Sequence, residues 1–396
     1  MVVPVGWVIK ELGSEIEFQN GTAHENIIKE YGKYIVANSK FISTEGKIKK
    51  FSDVCITPCH KNDILMVMSD VPNGRAIGKC FFVDIDDKYT LNQRICRMKS
   101  YYNNDKLLYY ILDRNQYFLS FDDGAKQTNL RREDILKCSI MLPKDKEEQN
   151  AIAEALSDID NLITSLQKLI DKKKSIKQGA MQELLTGKKR LPGFKKEWIH
   201  KALGEVAIIK DGTHGTFERK KDGVLLLSAK NVFNGHLILD NESFISREDY
   251  LKIVENGFPT KGDILLSCVG TIGRCCIYTG KPKAAFQRSV AFIRTSKMCN
   301  TFLLYLLQEE VVQSKLRQSA NASAQGGVYL GTLIDIDLYY PSDLKEQQAI
   351  AQVFMEMDNE IEQLEKKLDK YQQIKQGMMQ ELLTGHIRLI DDGEKT

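Results

Sequence analysis

Residues Ile176–Gly187 read IKQGAMQELLTG, and residues Ile374–Gly385 read IKQGMMQELLTG. The match belongs to a longer duplication. From Pro143/Pro341 to Leu191/Leu389 the two stretches align at a constant offset of 198 without a gap, and more than half of the 49 positions are identical. Repetition on this scale constrains architecture before local propensity does, because both copies must adopt the same structure.

Each copy reads as one long helix. A proline, then Asp145 or Asp343, then Glu148 or Glu346 gives a capped, acidic start. Apolar residues follow in steps of four and three: Ile152, Leu156, Ile159, Ile163, Leu166 and Ile170 in the first copy. The second copy answers with Ile350, Phe354, Met357, Ile361, Leu364, Leu368 and Tyr371. That spacing is a coiled-coil seam. It falters at Lys173 and at Lys177/Lys375, resumes at Ala180/Met378 and Leu184/Leu382, and meets stop signals at Gly187 and Gly385. A helix over about 147–185 would be roughly 58 Å long at about 1.5 Å per residue. The two stripes bury each other most simply. Antiparallel packing would lead helix one from the first domain to the second and return helix two, placing unlike domains at opposite ends of a rod about a pseudo-two-fold axis.

The predicted organisation is a first domain over 1–142, a helix over 143–190, a second domain over 191–340, a helix over 341–389 and a tail over 390–396. The domains repeat more loosely. Trp7 answers to Trp198, Lys61–Leu65 to Lys261–Leu265, and Asn92-Gln93-Arg94 to Phe286-Gln287-Arg288. Helical stretches over 106–117 and 302–316 correspond. Short β-rich runs over 64–68, 81–85, 224–227 and 264–266, set among Gly/Asn/Asp turns, predict α+β domains with a curved mixed sheet.

Nine cysteines, an odd number without framework spacing, imply free thiols in a reducing cytoplasm. Cys55, Cys59 and His60 could open a zinc site, but no second pair stands at suitable spacing, and buried thiols are the simpler reading. No apolar run is long enough to span a membrane, and the N-terminal residues do not form a secretory signal. The net charge of +3 says little, but residues 168–201 hold eleven Lys/Arg against three acids, a net of +8. Such a stretch is either a phosphate-contacting surface or a solvated helix face.

The chain resembles the DNA-specificity subunits of type I restriction-modification systems. The resemblance rests on Leu142–Ala153, echoed by Pro341–Ala351, and on KQG-x-MQELLTG at each helix end. Trp198–Glu205, Lys261–Ser267, Gly270–Gly273 and Phe286–Ile293 add to it in the second domain. The first domain departs from the pattern: it lacks the GTIG stretch and reads NQRICRM in place of FQRSVAF. The resemblance implies that each domain is a target recognition domain reading one half of an asymmetric, split DNA site. The helices would act as a ruler and dock two methyltransferase subunits, with restriction subunits joining indirectly. S-adenosylmethionine, ATP and Mg²⁺ would belong to those partners, leaving this chain without a cofactor.

Base edges call for Arg/Lys on guanine and Asn/Gln on adenine, with Lys and Ser/Thr on phosphates. The candidates in the second domain are Thr213, His214, Arg219, Lys220, Lys221, Ser228, Lys230, Asn231, Arg274, Arg288 and Gln325, with Gln287 and Ser323 beside them. Their counterparts in the first are Thr22, His24, Asn38, Lys40, Arg75, Arg94, Lys126 and Gln127, with Gln93 and Thr128. Competing readings stand next to these. A Gly-rich loop is often only a turn, the histidines could stabilise their loops, and a Gln-Arg pair shared by both domains suits a structural role better than the reading of different sequences. Tyr101, Tyr102, Tyr109 and Tyr110 suit packing better than base stacking.

Catalytic motifs are scarce. No phosphate-binding loop or amino-methylation motif is present, and an acid-x-Lys nuclease fragment can be drawn only loosely from Asp211, Glu218 and Lys220. The expectation is a non-catalytic subunit. The alternatives are a stand-alone DNA-acting enzyme or a coiled-coil scaffold without a DNA role.

Overall fold

A computed structural model describes residues 3–72, 74–240, 243–255, 257–323 and 326–390. The two long helices run over Lys146–Leu184 and Leu344–Leu382, 39 residues each. The chain divides into two compact units, one of residues 1–167 with 367–396 and the other of residues 168–366. Both helices are therefore cut. Each unit holds one globular domain, the opening of the helix that follows it and the end of the other helix.

The first unit has an antiparallel four-stranded sheet, ordered Ile16–Asn20, Ile95–Ser100, Ile64–Val67, Cys80–Phe82. A separate three-stranded sheet pairs Tyr34–Ala37 antiparallel with Phe51–Ser52 and parallel with Tyr89–Leu91. The second unit repeats this topology. Ile208–Asp211, Val290–Arg294, Ile264–Ser267 and Cys275–Ile277 form its four-stranded sheet. Phe244–Ile245, Val224–Leu227 and Ala284–Phe286 form its three-stranded one, with the last two strands parallel. The single mixed sheet expected from the sequence is thus divided in each domain between a four-stranded antiparallel sheet and a three-stranded mixed one, with two-stranded ribbons beside them. Short apolar runs reveal strands but not which strand pairs with which.

A ribbon closes each domain and feeds its long helix. Trp7–Glu11 pairs with Ser139–Pro143, and Trp198–Ala202 with Asp337–Pro341. The Glu-Gln pair one turn into each helix secures this junction. Gln149 donates to the Pro143 carbonyl at 2.8 Å, and its Oε1 accepts the Asn104 amide at 2.9 Å. Gln347 repeats both bonds with Pro341 and Cys299. Glu148 and Glu346 are fully buried. Trp7 Nε1 donates to Glu148 at 3.3 Å, and Arg388 grips both oxygens of the same carboxylate, Nη2 to Oε2 at 2.7 Å. In the second unit Trp198 donates to Glu346 at 3.4 Å, and Arg190 binds it in the same two-pronged manner, Nε to Oε1 at 2.9 Å. Gly385 and Gly187 adopt φ of +69° and +72° against those tryptophans, where a β-carbon would stand 2.9 and 3.3 Å from the ring. Only glycine suits both the backbone and the space.

These contacts explain the repeated dodecapeptide. The end of each helix docks into the socket made by the other helix's start, so the sequence is duplicated because the socket is. Pairing is antiparallel within each unit. Lys375 meets Asp160 at 2.6 Å in the first. In the second, Lys174 meets Glu365 at 2.7 Å and Lys177 meets Asp358 at 2.5 Å, while Arg190 reaches Glu346, so partner numbers fall as residue numbers rise. The lysines that interrupt the apolar stripe are ion-pair partners: Lys177 and Lys375 in these pairs, and Lys173 with Glu360 at 2.6 Å. Tyr110 and Tyr305, from the domains' own helices, donate to the same aspartates at 2.8 and 2.7 Å. Tyr109 and Tyr110 therefore pack as expected, whereas Tyr101 and Tyr102 are exposed.

The stripe is not one uniform seam. Ile152 and Leu156 lie in the first domain's core together with Leu382, and Ile350 and Phe354 lie in the second's with Met181, Leu184 and Leu185. The helix–helix contact expected of them is present but only part of their role: they join the domain core, the helix start and the returning end of the other helix. Farther along, Ile159, Leu166, Ile170 and Ile361 are buried, while Ile163, Met357 and Leu364 are half-buried, as a two-helix seam leaves its flanks open.

Candidate functional site

The parallel strand pair sets the geometry of the site. In the second unit, Val224–Leu227 and Ala284–Phe286 end at the same edge. The loop after Asp211 crosses that edge through amide bonds from Thr213 to the Phe286 carbonyl, 2.8 Å, and from Arg288 to the Thr213 carbonyl, 3.0 Å. The edge gathers Thr213, Gln287, Arg288 and, following strand 224–227, Ser228 and Lys230. Ala229 donates its amide to Ser289 Oγ at 3.0 Å, tying the segments together. The first unit gathers Thr22, Asn38, Lys40, Gln93 and Arg94 by the same bonds, and Gln127 joins them by donating to Ser69 Oγ at 2.8 Å.

Two candidates are interior residues. His24 is 1% exposed, with Nδ1 2.6 Å from the Thr22 carbonyl oxygen and Nε2 2.8 Å from Thr90 Oγ1. A carbonyl can only accept, so Nδ1 carries the proton and both nitrogens are spent inside the fold. Asn231 is 5% exposed and bonds the Ser228 amide and the Ile238 carbonyl. Neither can reach DNA while those bonds stand, and both are withdrawn as contacts. His214, by contrast, is exposed and lies 2.5 Å from Asp211. Asn38 caps the short helix Ser39–Ser43 by accepting the Phe41 amide at 2.9 Å.

The remaining candidates divide by what already holds them. Arg219 donates to Ser243 at 2.8 Å, and Lys220 pairs with Glu218 at 2.7 Å. Asp211 and Lys220 are thus each engaged by another neighbour, and among the described residues no cluster of three or more His, Cys, Asp or Glu could hold a metal. Cys55, Cys59 and His60 belong to no such cluster either; Cys59 is a buried thiol whose pKa burial pushes up to about 12. Arg274 stacks its guanidinium on Phe233 at 4.2 Å from the ring centre. Lys40, Arg75, Arg94, Lys126, Lys221, Lys230 and Arg288 are exposed. Gln325 lies outside the described residues, as does the tail beyond Ile390.

The shared hydrogen bonds also correct two equivalences. The Gly78 amide bonds the Val67 carbonyl as Gly273 bonds Ser267, so Lys79, not Arg75, occupies the place of Arg274. Met68 donates to the Arg94 carbonyl as Cys268 donates to that of Ser289, so Arg94 answers to Ser289, and Gln93 to Arg288. Matching the identical letters Gln-Arg slips the register by one.

The basic stretch has a different explanation from a bare phosphate surface. Of its eleven cations, Lys173, Lys174, Lys177, Arg190 and Lys196 pair with Glu360, Glu365, Asp358, Glu346 and Asp343 of the second helix or its approach. A signal for this was present in the sequence. Residues 146–167 carry net −4 and 168–184 net +3, while 344–366 carry −4 and 367–382 carry +1. Acidic starts and basic ends suit the helix dipole and make antiparallel neighbours complementary, whereas parallel alignment would oppose like charges.

Comparison with known proteins agrees with this duplicated plan. The family model described as "Type I restriction modification DNA specificity domain" matches residues 4–178 and again 195–376. The chain belongs to this family. It is similar to the type I restriction enzyme MjaVIII specificity subunit of Methanocaldococcus jannaschii, 28% identical across 98% of this chain and 94% of that one. A putative type I specificity subunit of Mycoplasma pneumoniae, S.MpnORF638P, is 26% identical over 64% of this chain and 66% of its own. The fold is similar to the crystal structure of the type I restriction-modification S subunit from M. genitalium, with a TM-score of 0.64, 18% identity and coverage of 95% and 96%. As a specificity subunit the chain is a non-catalytic DNA-recognition component of a restriction-modification complex. Among the described residues, no helix is long and apolar enough to cross a membrane.

Proposed function

We propose that each domain reads one half of a split, asymmetric DNA target, that the paired helices fix the gap between halves, and that they dock two methyltransferase subunits. The observation that carries this reading is the contrast between conserved sockets and varied edges. Both helix starts present the same Trp-Glu-Arg grip. The edges keep Gly21-Thr22 and Lys40 as Gly212-Thr213 and Lys230, but differ at Asn38 against Ser228 and at every residue of Asn92-Gln93-Arg94 against Gln287-Arg288-Ser289. A repeated frame with unlike edges suits one spacing and two different half-sites. The exposed residues Thr22, Lys40, Arg94, Lys126 and Gln127 would face one half, and His214, Lys221, Lys230 and Arg288, with the half-buried Thr213, the other. The methyl donor, the nucleotide and Mg²⁺ would be held by the partner subunits, with restriction subunits recruited through them.

The test is an insertion. Four residues added after both Gln167 and Lys366 lengthen an antiparallel pair by about 6 Å and turn it by about 40°. In cells that also supply the methyltransferase subunits, sequencing of methylated positions should show both half-sites kept and a changed gap. The original gap, retained, would refute the ruler.

A further inference from the structure

In both units one three-residue turn joins the parallel strand to the central strand of the larger sheet: Asn92-Gln93-Arg94 in the first, Gln287-Arg288-Ser289 in the second. The same backbone bonds hold it. Thr22 donates to the Leu91 carbonyl and Thr213 to that of Phe286; Gln93 donates to Thr22 and Arg288 to Thr213. Asn92 bonds Ala37 as Gln287 bonds Leu227, and Gly21 reaches Ile95 as Gly212 reaches Val290. The glycines are obligatory there, because a β-carbon on Gly21 would lie 2.0 Å from the Asn92 oxygen, and one on Gly212 2.3 Å from that of Gln287. On this shared frame all three side chains differ.

Arginine occupies the third position of one turn and the second of the other. Both are exposed, and among the described residues neither guanidinium makes a hydrogen bond or ion pair. Arg94 also holds φ of +66°, a conformation that a non-glycine residue adopts at a cost. The Gln-Arg letters shared by both domains had argued for a structural role; the one-residue shift removes that argument. A fixed turn carrying a free five-donor fork is pre-organised for bidentate recognition of a planar acceptor pair.

We infer that this turn is the specificity-determining element of each domain, with Arg94 in one and Arg288 in the other placed to bond the O6/N7 edge of a guanine in the major groove. The inference rests on the half-site reading above. It explains how one backbone reads two sequences: moving the arginine by one residue moves the fork relative to the duplex.

The experiment uses the full chain with its methyltransferase partners, and reads discrimination at every base pair of the target by methylation of a randomised duplex. Arg94→Gly is the informative variant, since glycine accepts the turn's backbone while the fork is lost. It should lower discrimination about 10- to 100-fold at one base pair of one half-site, and Arg288→Ala should do so in the other half. Arg94→Lys, which keeps charge but not the fork, should fail to restore it. Uniform weakening on all sequences, with a shallower salt dependence, would make these arginines phosphate contacts and overturn the inference. So would an unchanged motif, or full rescue by lysine. A wild-type complex with no split motif would overturn the half-site reading as well, which separates the two failures.

Discussion

The two sockets and the two reading edges tell opposite stories about the same pair of units. At the sockets, Trp7, Glu148 and Arg388 repeat as Trp198, Glu346 and Arg190. At the edges, Asn92-Gln93-Arg94 stands where Gln287-Arg288-Ser289 does. A buried carboxylate tolerates little change because its partners must all be present. A half-exposed turn held chiefly through its backbone, with side-chain bonds that differ between the units (Gln93 to Glu25 in one, the Ala229 amide to Ser289 Oγ in the other), admits different side chains where its φ angles allow them. Duplication was therefore kept where burial enforces it and lost where solvent does not.

The comparison can be broken first at the cores. Phe354→Ala should cost about 3–5 kcal/mol and its counterpart Leu156→Ala about 2–5 kcal/mol, because both side chains are fully buried among domain, helix start and helix end. Chemical denaturation reads both, and a negligible loss at either would mean that the helix is not part of that core. Next, Arg388→Ala leaves Glu148 buried without its cation. Roughly 3 kcal/mol is expected, the lower end for a broken buried pair, since the arginine itself is partly exposed. A loss below about 1 kcal/mol would show that water reaches the socket.

The smallest effect distinguishes the units by pH. Asp113 ends the helix Asp105–Leu112, and burial raises its carboxyl pKa, against a hydrogen bond accepted from the Cys80 amide. The corresponding residue of the second unit is the neutral Gln308, which ends Asn300–Gln308. A raised folded-state pKa means that the folded chain takes up the proton first. The penalty is fully present above the folded pKa and disappears as pH falls through it toward the unfolded value of about 3.9. Relative to Asp113→Gln, the wild type should thus gain stability on acidification from neutral pH. Parallel stability–pH curves for the two proteins would mean that Asp113 is hydrated.

Much of this was legible in the sequence. The helix read over about 147–185 spans Lys146–Leu184 and its repeat Leu344–Leu382, both shorter than the segments 143–190 and 341–389 assigned to them, because 3.6-residue periodicity sustained over ten turns leaves no rival structure within those limits. The antiparallel choice was readable in the charge halves as well as in the repeat. The site was less so. His24 and Asn231 carry the right chemistry for DNA, but polarity is a property of the letter and burial a property of the fold. The Gln-Arg match misled because an alignment rewards identical letters, while the turn's register follows hydrogen bonds from Thr22, Met68 and their counterparts.

Sequence alone determined that two equal helices exist, that acid leads and base trails in each, and that two related domains are fused to them; periodicity and charge order are one-dimensional and survive being read as text. Tertiary structure decided which residues from distant stretches share a socket, why glycine stands before each turn, and which arginine is free to face outward. Those facts depend on distances between segments some 70 to 240 residues apart, such as Thr22 with Asn92 and Glu148 with Arg388, and no local pattern encodes them.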